Sequence, residues 1–122
     1  MEDQLTKEVI GAAIDIHKEL GPGLLESAYQ TCLGYELRSK GLEVKRELKL
    51  PVVYKELELD QGYRIDLLVN NKLVIETKTV EALNDVHLAQ ILTYMKFGNY
   101  RTGLLLNFHV KRMVEGIKRV VL

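Results

Sequence analysis

The sequence has little of what an exported or membrane-bound protein needs. Its single cysteine, Cys32, cannot form an internal disulfide, and its place among the apolar residues of a helical pattern indicates a small buried side chain. The longest apolar run, residues 9–14, is far shorter than the roughly 20 residues of a membrane span. The first five residues carry acidic side chains where a secretory signal carries basic ones. We therefore expect a soluble, cytoplasmic protein without a membrane partner.

The sequence also lacks net charge, because 17 basic residues balance 17 acidic ones. It has no overall positive field to attract a polyanion such as DNA, so any contact with nucleic acid must be local. Basic residues form two local groups, and a solvated surface is the default interpretation of both. The first group is Lys40, Lys45, Arg46 and Lys49, and the second is Lys111, Arg112, Lys118 and Arg119.

Periodic apolar residues predict helices in the first third of the chain. Residues 5–20 have helical spacing, and Gly21-Pro22-Gly23 ends this helix because glycine adopts the cap conformation and proline cannot continue a helix. A second helical pattern runs from Leu24 to the basic turn before Gly41. After Gly41 apolar and charged residues alternate up to residue 54, which predicts an exposed or edge strand.

The rest of the chain alternates strands with one helix. Strands are predicted over residues 59–70 and 72–78, joined as a hairpin at Asn70-Asn71. A helix capped by Asn84 or Asp85 should run to about residue 97 before Gly98. The apolar run 101–108 suits a strand buried on both faces and parallel to the one before the helix, and 116–122 suits a last strand.

The predicted fold class is therefore α/β, a mixed β-sheet flanked by helices. The order of elements is α-α-β-β-β-α-β with a further C-terminal strand. With 122 residues, 47% of them hydrophobic, the chain has the length of a single domain, and no repeat or low-complexity segment divides it.

Three charged residues on two predicted strands form a candidate site. Side chains alternate along a strand, so Glu76 and Lys78 point to the same face. Asp66 lies on the preceding strand of the hairpin. A turn that includes Lys72 puts Asp66 opposite Glu76, whereas a strict two-residue turn puts it opposite Ile75. The sequence leaves this register open.

Two carboxylates at close range suit Mg²⁺ or Mn²⁺, which keep several waters and take further ligands from a substrate phosphate. A lysine beside them can orient the attacking water and stabilise charge on the phosphate. The pattern thus suggests phosphodiester hydrolysis. The alternative is an exposed ion pair between Glu76 and Lys78, with Asp66 as an ordinary strand residue. The apolar residues Leu73-Val-Ile75 argue for a buried strand, in which charges need partners or a metal.

The helix that follows carries His87, Gln90 and Tyr94 on one face, at positions i, i+3 and i+7. Gln90 and Tyr94 could contact the site or its substrate, or they could bond to backbone groups. His87 could reach a phosphate or a metal, or it could simply be a partly exposed residue at the start of the helix.

These residues resemble a known group of enzymes. Asp66, the segment Glu76-Thr-Lys78 and the segment Gln90-Ile-Leu-Thr-Tyr94 are similar in order and spacing to the PD-(D/E)XK nuclease superfamily and to the Gln-x-x-x-Tyr element of its exonuclease-like branches. The segment Gly23-Leu-Leu-Glu26-Ser-Ala-Tyr29 looks like the signature of the GxxExxY family within that superfamily. Residues 21–26, 62–66, 87–90 and 103–108 also look like landmarks of that family.

The resemblance implies a restriction-endonuclease-like core, which agrees with the predicted order of elements. It also implies that Asp66 and Glu76 bind Mg²⁺ or Mn²⁺, that Lys78 is the catalytic lysine, and that Glu26 faces the same cleft. Without the resemblance, Glu26 would be a solvated carboxylate favoured by the helix dipole. The residues expected to bind the substrate or support the site are Arg64, Gln90, Tyr94, His87 and Tyr29.

Two functions remain open from the sequence. The first is a metal-dependent nuclease that acts on DNA or RNA. The second is a non-catalytic nuclease-fold module that binds nucleic acid or a protein partner, which the neutral charge and small size favour. A homodimer joined through an edge strand would enlarge the small surface available for gripping a duplex.

Overall fold

The computed structural model describes residues 3–122, and its first elements are two helices. Helix α1, Gln4–Leu20, begins where the Asp3 carboxylate accepts a hydrogen bond from the Thr6 N–H (2.8 Å). It ends at Gly21, whose φ of 72° is available to glycine at little cost. Helix α2 is Glu26–Ser39 and begins two residues after Leu24, because Leu25 has an extended backbone. Both predicted helices are confirmed.

The predicted strand over 42–54 is wrong in its extent. Strand β1 is Val44–Lys49, and the chain then forms a separate two-stranded hairpin of β2, Val52–Tyr54, and β3, Leu57–Leu59. Pro51 lies between β1 and β2 and has no N–H to continue a ladder, and Lys55 turns the hairpin with a φ of 55°. The predicted strand over 59–70 is also divided, because Leu59 ends β3 and residues 60–63, in which Gly62 has a φ of 74°, separate it from the next strand.

Strands β4, Arg64–Val69, and β5, Leu73–Lys78, form the predicted hairpin. Asn70 and Asn71 have left-handed φ angles of 52° and 54°, and the Lys72 N–H donates to the Val69 carbonyl at 3.0 Å. Lys72 therefore belongs to the turn, and Val69 pairs with Leu73. Of the two registers left open by the sequence, the structure adopts the one that puts Asp66 opposite Glu76.

Helix α3, Asp85–Gly98, carries the chain to β6, Thr102–Asn107, which pairs in parallel with β5 as predicted. The helix is capped by Asn84 and ends at Gly98, one residue later than expected, with Asn99 as its left-handed C-cap. After a 3₁₀ turn, Met113–Gly116, the last strand β7, Ile117–Val121, pairs antiparallel with β6. The mixed five-stranded sheet has the order β1-β4-β5-β6-β7, which confirms the α/β class and the edge position of β1.

The sheet carries one apolar cluster on each face. Helices α1 and α2 pack on one face around Tyr29, Leu33 and Phe108, and α3 packs on the other face through Ile91 and Met95. Strands β5 and β6 lie between these layers and are almost entirely buried. The carboxyl group of Glu76 on β5 is therefore placed in a desolvated environment.

Two further observations concern the burial of Cys32 and the helices that could span a membrane. Cys32 is half-buried against the cluster of α1 and α2, so its side chain is less enclosed than expected. Among residues 3–122, no helix combines the length and the apolar character that crossing a lipid bilayer requires.

Candidate metal and catalytic site

The backbone ladder between β4 and β5 stops next to the charged residues. Its last pair on this side is Leu67 with Ile75. Beyond that pair, the Asp66 N–H donates to Glu76 Oε2 at 3.0 Å, and the Thr77 N–H and hydroxyl donate to Asp66 Oδ2 at 2.9 and 3.0 Å. Carboxylates thus replace backbone carbonyls as acceptors. The carboxylates of Asp66 and Glu76 both lie in one opening between β4 and β5.

The same opening coincides with a break in the pleat of β1. Pairing of β1 with β4 is regular from Val44 to Lys49 except at Glu47, which has a φ of 51°. A left-handed residue is unusual in a strand and interrupts the alternation of faces. Accordingly, Val44 packs on the side of α1 and α2, whereas Leu48 packs on the side of α3. The sheet is therefore locally deformed around Asp66.

Burial raises the pKa of both carboxyl groups. The Glu76 side chain is only 4% exposed, and its pKa rises to about 8 because desolvation disfavours the charged form and the charge of Asp66 repels it. Burial also raises the pKa of Asp66, with the hydrogen bonds from Thr77 opposing the shift and Glu47 adding to it. A bound divalent cation would relieve the repulsion between these groups.

The donor atoms fit a hard cation with few protein ligands. Each carboxylate accepts its hydrogen bonds through one oxygen, which leaves Asp66 Oδ1 and Glu76 Oε1 for another ligand. Within residues 3–122, no three His, Cys, Asp or Glu side chains are arranged to enclose a metal. This donor set suits Mg²⁺, which commonly uses one or two carboxylates and completes its shell with water and phosphate.

Lys78 lies beside the carboxylates without pairing with Glu76. Its Nζ donates to Gln90 Oε1 at 3.1 Å, and in the described part of the chain no ion pair joins it to Glu76. Burial raises the pKa of Glu26, Asp66 and Glu76, and the positive charge of Lys78 opposes this rise in all three, so Lys78 is within electrostatic reach of each. The exposed ion-pair interpretation is therefore wrong.

Glu26 approaches the site from the start of α2. The residue is exposed overall, but desolvation of its carboxyl raises its pKa, and Asp66 contributes to the shift. Three residues later, Tyr29 is fully buried. The Tyr29 hydroxyl accepts a hydrogen bond from the Leu24 N–H at 3.0 Å and donates one to the Gly21 carbonyl. Tyr29 thus holds the loop that precedes Glu26.

Helix α3 contributes residues with different surroundings. Gln90 is exposed and holds Lys78, whereas Tyr94 is buried and packs edge-to-face against Tyr63 at 6.4 Å. Burial raises the pKa of Tyr94, and the charge of Glu76 raises it further. Tyr94 therefore lies within electrostatic reach of the carboxylates.

His87 takes part in the cap of α3, and Arg64 lies at the start of β4. The His87 Nδ1 accepts a hydrogen bond from the Asn84 N–H at 3.1 Å, while Asn84 Oδ1 accepts from the backbone of His87 at the same distance. The ring thus takes part in capping α3, in agreement with the helix-start interpretation. Arg64 is exposed at the beginning of β4, opposite Lys49.

Sequence reasoning missed two residues that shape the site. Thr77 donates twice to Asp66, and its only signal was its position between Glu76 and Lys78. Asn107 is buried at the end of β6. Its Oδ1 accepts from the Val80 N–H (3.1 Å) and its Nδ2 donates to the Val80 carbonyl (2.9 Å). A polar residue that ends an apolar strand could have indicated this link to the segment after Lys78.

The sheet topology, with two carboxylates and a lysine at the open end of a central hairpin, is that of a restriction-endonuclease-like α/β fold. A profile of the PD-(D/E)XK nuclease superfamily matches residues 3–120, nearly the whole chain. The protein therefore belongs to the PD-(D/E)XK nuclease superfamily. No curated protein and no solved structure matches the chain.

Proposed function

We propose that this protein is a Mg²⁺- or Mn²⁺-dependent nuclease that hydrolyses phosphodiester bonds in DNA or RNA, and that it belongs to the GxxExxY family. The observation that carries the proposal is the opening between β4 and β5, where the carboxyls of Asp66 and Glu76 converge beside Lys78. Membership of a nuclease superfamily supports the type of chemistry. The placement of Glu26 beside this opening supports the narrower family assignment.

Asp66 Oδ1 and Glu76 Oε1 would hold the metal ion, and Glu76 must first release its proton. When bound, the ion supplies an activated water and neutralises charge on the phosphate. Lys78 Nζ, held by Gln90, orients the water or a phosphate oxygen and stabilises the negative charge that develops there. Glu26 has a raised pKa, which suits a group that exchanges protons with the site.

The remaining predicted site residues have supporting roles. Arg64 and Tyr94 shape the side on which the substrate lies. Tyr29 fixes the loop before Glu26, and His87 fixes the start of the helix that carries Gln90. We also propose that residues 1–122 act as one domain in the cytoplasm, and that a homodimer forms through an edge strand of the sheet, β1 or β7.

The test is a calorimetric titration of Mn²⁺ and Mg²⁺ into the wild-type protein, Glu76→Ala and Glu58→Ala, followed by cleavage assays on DNA and RNA. Glu58 is an exposed carboxylate on β3 and serves as the matched control. We expect the wild type and Glu58→Ala to bind metal and to cleave, and Glu76→Ala to do neither. A wild-type protein that binds no divalent ion would contradict the proposal and favour the non-catalytic module.

A further inference from the structure

A pocket of about 520 Å³ opens between the end of α1 and the segment that connects β6 with β7. Ile14, Pro22 and Met113 form an apolar wall. Three cationic side chains also line the pocket, and no Asp or Glu of residues 3–122 does. These cations are Lys18, Lys111 and Arg112. The pocket thus combines an apolar surface with positive charge.

The three cations are not neutralised by nearby carboxylates. Within the described residues, no carboxylate forms an ion pair with Lys18, Lys111 or Arg112. The acid nearest to Arg112 in the chain, Glu115, accepts a hydrogen bond from the Arg112 backbone N–H at 3.2 Å. In a chain without net charge, three such cations around one cavity produce a local positive potential that favours an anion.

The carboxyl end of a helix normally disfavours an anion because its free carbonyls are negative. At this end of α1 the His17 carbonyl accepts from the Gly21 N–H at 2.8 Å, and the carbonyl of Gly21, just after the helix, accepts from the Tyr29 hydroxyl, so these two carbonyls are occupied. The buried His17 ring also bonds through Nε2 to the Val110 carbonyl at 2.8 Å. This bond joins the two segments that line the pocket, so the pocket is formed before any ligand binds.

The pocket lies at the same end of the sheet as the candidate metal site. Gly21 lines the pocket and Glu26 approaches the carboxylates, and five residues of chain span at most about 17 Å. Phe108, which follows β6, bonds through its N–H to the Lys78 carbonyl at 2.9 Å and stacks on Tyr29 at 4.4 Å. A nucleic-acid strand advances about 3.4 Å per nucleotide, so roughly five nucleotides or fewer would connect the two sites.

We propose that this pocket binds one nucleotide of a single-stranded segment, and that another phosphate of the same strand, roughly five nucleotides away or fewer, lies at Asp66 and Glu76. The nucleotide phosphate contacts the cations, and its sugar or base packs on the apolar wall. Because the pocket is concave, it admits an unpaired nucleotide and not the backbone of a duplex, so the substrate class is single-stranded DNA or RNA, or a single-stranded end. That the ligand is a nucleotide rests on the proposed nuclease function, whereas the binding of an anion in this pocket does not.

The test measures binding of a fluorescently labelled oligothymidylate by anisotropy, with EDTA present so that binding is separated from cleavage. The variant Lys111→Ala/Arg112→Ala is compared with Lys40→Ala/Lys45→Ala, which removes the same charge at the end of α2 and at the β4–β5 turn, where Lys45 Nζ bonds to Asn71. We expect the first variant to bind about tenfold or more weakly, with a slope of log K against log salt concentration that is smaller by about 0.7 for the one lost phosphate contact. The control should bind as the wild type does.

A second variant, Val114→Glu, keeps the cations and adds negative charge to a lining position that is 55% exposed, so it should also weaken binding. Equal weakening in the pocket and control variants, no weakening in either, or no binding by the wild type would overturn the inference. Preference for a labelled duplex would overturn the substrate class. Binding that depends on the pocket, without cleavage in Mn²⁺, would support the pocket as a binding site and contradict the proposed nuclease function.

Discussion

At the scale of single residues, water has little access to Glu76, and this controls the chemistry of the site. An ordinary glutamate is ionised at neutral pH, whereas burial and the neighbouring Asp66 raise the pKa of Glu76 to about 8. The protonated carboxyl is a poor ligand for a cation. Metal binding and loss of this proton are therefore linked, and metal affinity should increase with pH.

This linkage predicts how the metal-free protein responds to pH. Because the folded-state pKa of Glu76, about 8, lies above its ordinary value of 4.5, the folded protein keeps a proton that the unfolded chain releases. The stability from this difference is fully present below about pH 4.5 and is lost as the pH rises through about 8, on the order of a few kcal/mol. Thermal melts in EDTA should show the melting temperature falling over this range.

Glu76→Gln is neutral at every pH and should weaken that fall, while Glu58→Gln on the exposed hairpin should keep the wild-type profile. Any fall of the melting temperature with pH that remains in Glu76→Gln would come from groups such as Asp66, whose pKa is also raised by burial. If the wild type melted at the same temperature throughout, Glu76 would not be protonated in the folded state.

Lys78 provides a second prediction at this scale, because it carries charge without ligating the metal. Lys78→Ala should bind Mn²⁺ but cleave about 10²- to 10³-fold more slowly, the usual effect of removing one group that stabilises transition-state charge. Gln90→Ala removes only the acceptor that holds Nζ at 3.1 Å, so its effect should be smaller. Single-turnover cleavage measures both, with Lys72→Ala in the distant turn as the control. Unchanged cleavage by Lys78→Ala would exclude the lysine from the reaction.

At the scale of elements, the loop between α1 and α2 depends on one buried side chain. Tyr29 bonds to Leu24 and Gly21 through its hydroxyl and stacks on Phe108 through its ring. The loop therefore has a fixed path, and Glu26 is delivered to the site at the first turn of α2. A buried tyrosine three residues after Glu26 thus fixes the position of Glu26 through the loop.

Tyr29→Phe should retain the stacking and lose both hydrogen bonds, leaving backbone groups of the loop without their partner. We expect a loss of about 1–3 kcal/mol in the free energy of unfolding, measured by urea denaturation. Cleavage should also become slower, because Glu26 is less firmly placed. Tyr35→Phe is the control, since Tyr35 lies on the same helix and is 73% exposed. Equal stability of the two variants would contradict this account of the loop.

At the scale of the whole molecule, the sheet closes tightly at the end that carries the site. A Cβ on Gly116, just before β7, would lie 2.0 Å from the Asn107 carbonyl oxygen. Asn107 is the residue that ties the end of β6 to Val80 beyond Lys78. The packing of the last two strands and the geometry of the site are therefore coupled through one backbone contact.

Gly116→Ala should consequently destabilise the protein by about 3 kcal/mol, because a backbone oxygen cannot move aside as a flexible side chain can. Gly11→Ala is the matched comparison: its Cβ meets nothing within 4 Å in α1, so it should stabilise the fold by about 0.5–1 kcal/mol. Urea denaturation of both variants measures the difference. A Gly116→Ala variant as stable as the wild type would show that the strands can separate there at little cost.

The sequence by itself determined the kinds of elements and most of the candidate site. Apolar periodicity is a local property, so it indicated all three helices and the central strands β5 and β6. Alternation along a strand placed Glu76 and Lys78 on one face, and a hairpin signal put Asp66 on the neighbouring strand.

Only the tertiary structure decided the features that depend on what lies opposite a residue. Turns of two and three residues are both compatible with Asn70-Asn71, and the apolar layers on the two faces of the sheet select between them, because a shift by one residue would move each side chain of β5 into the opposite layer. The separate hairpin of β2 and β3 and the left-handed Glu47 likewise follow from packing. Burial of Glu76 and the meeting of Lys18 with Lys111 and Arg112 join parts of the chain that local patterns cannot relate.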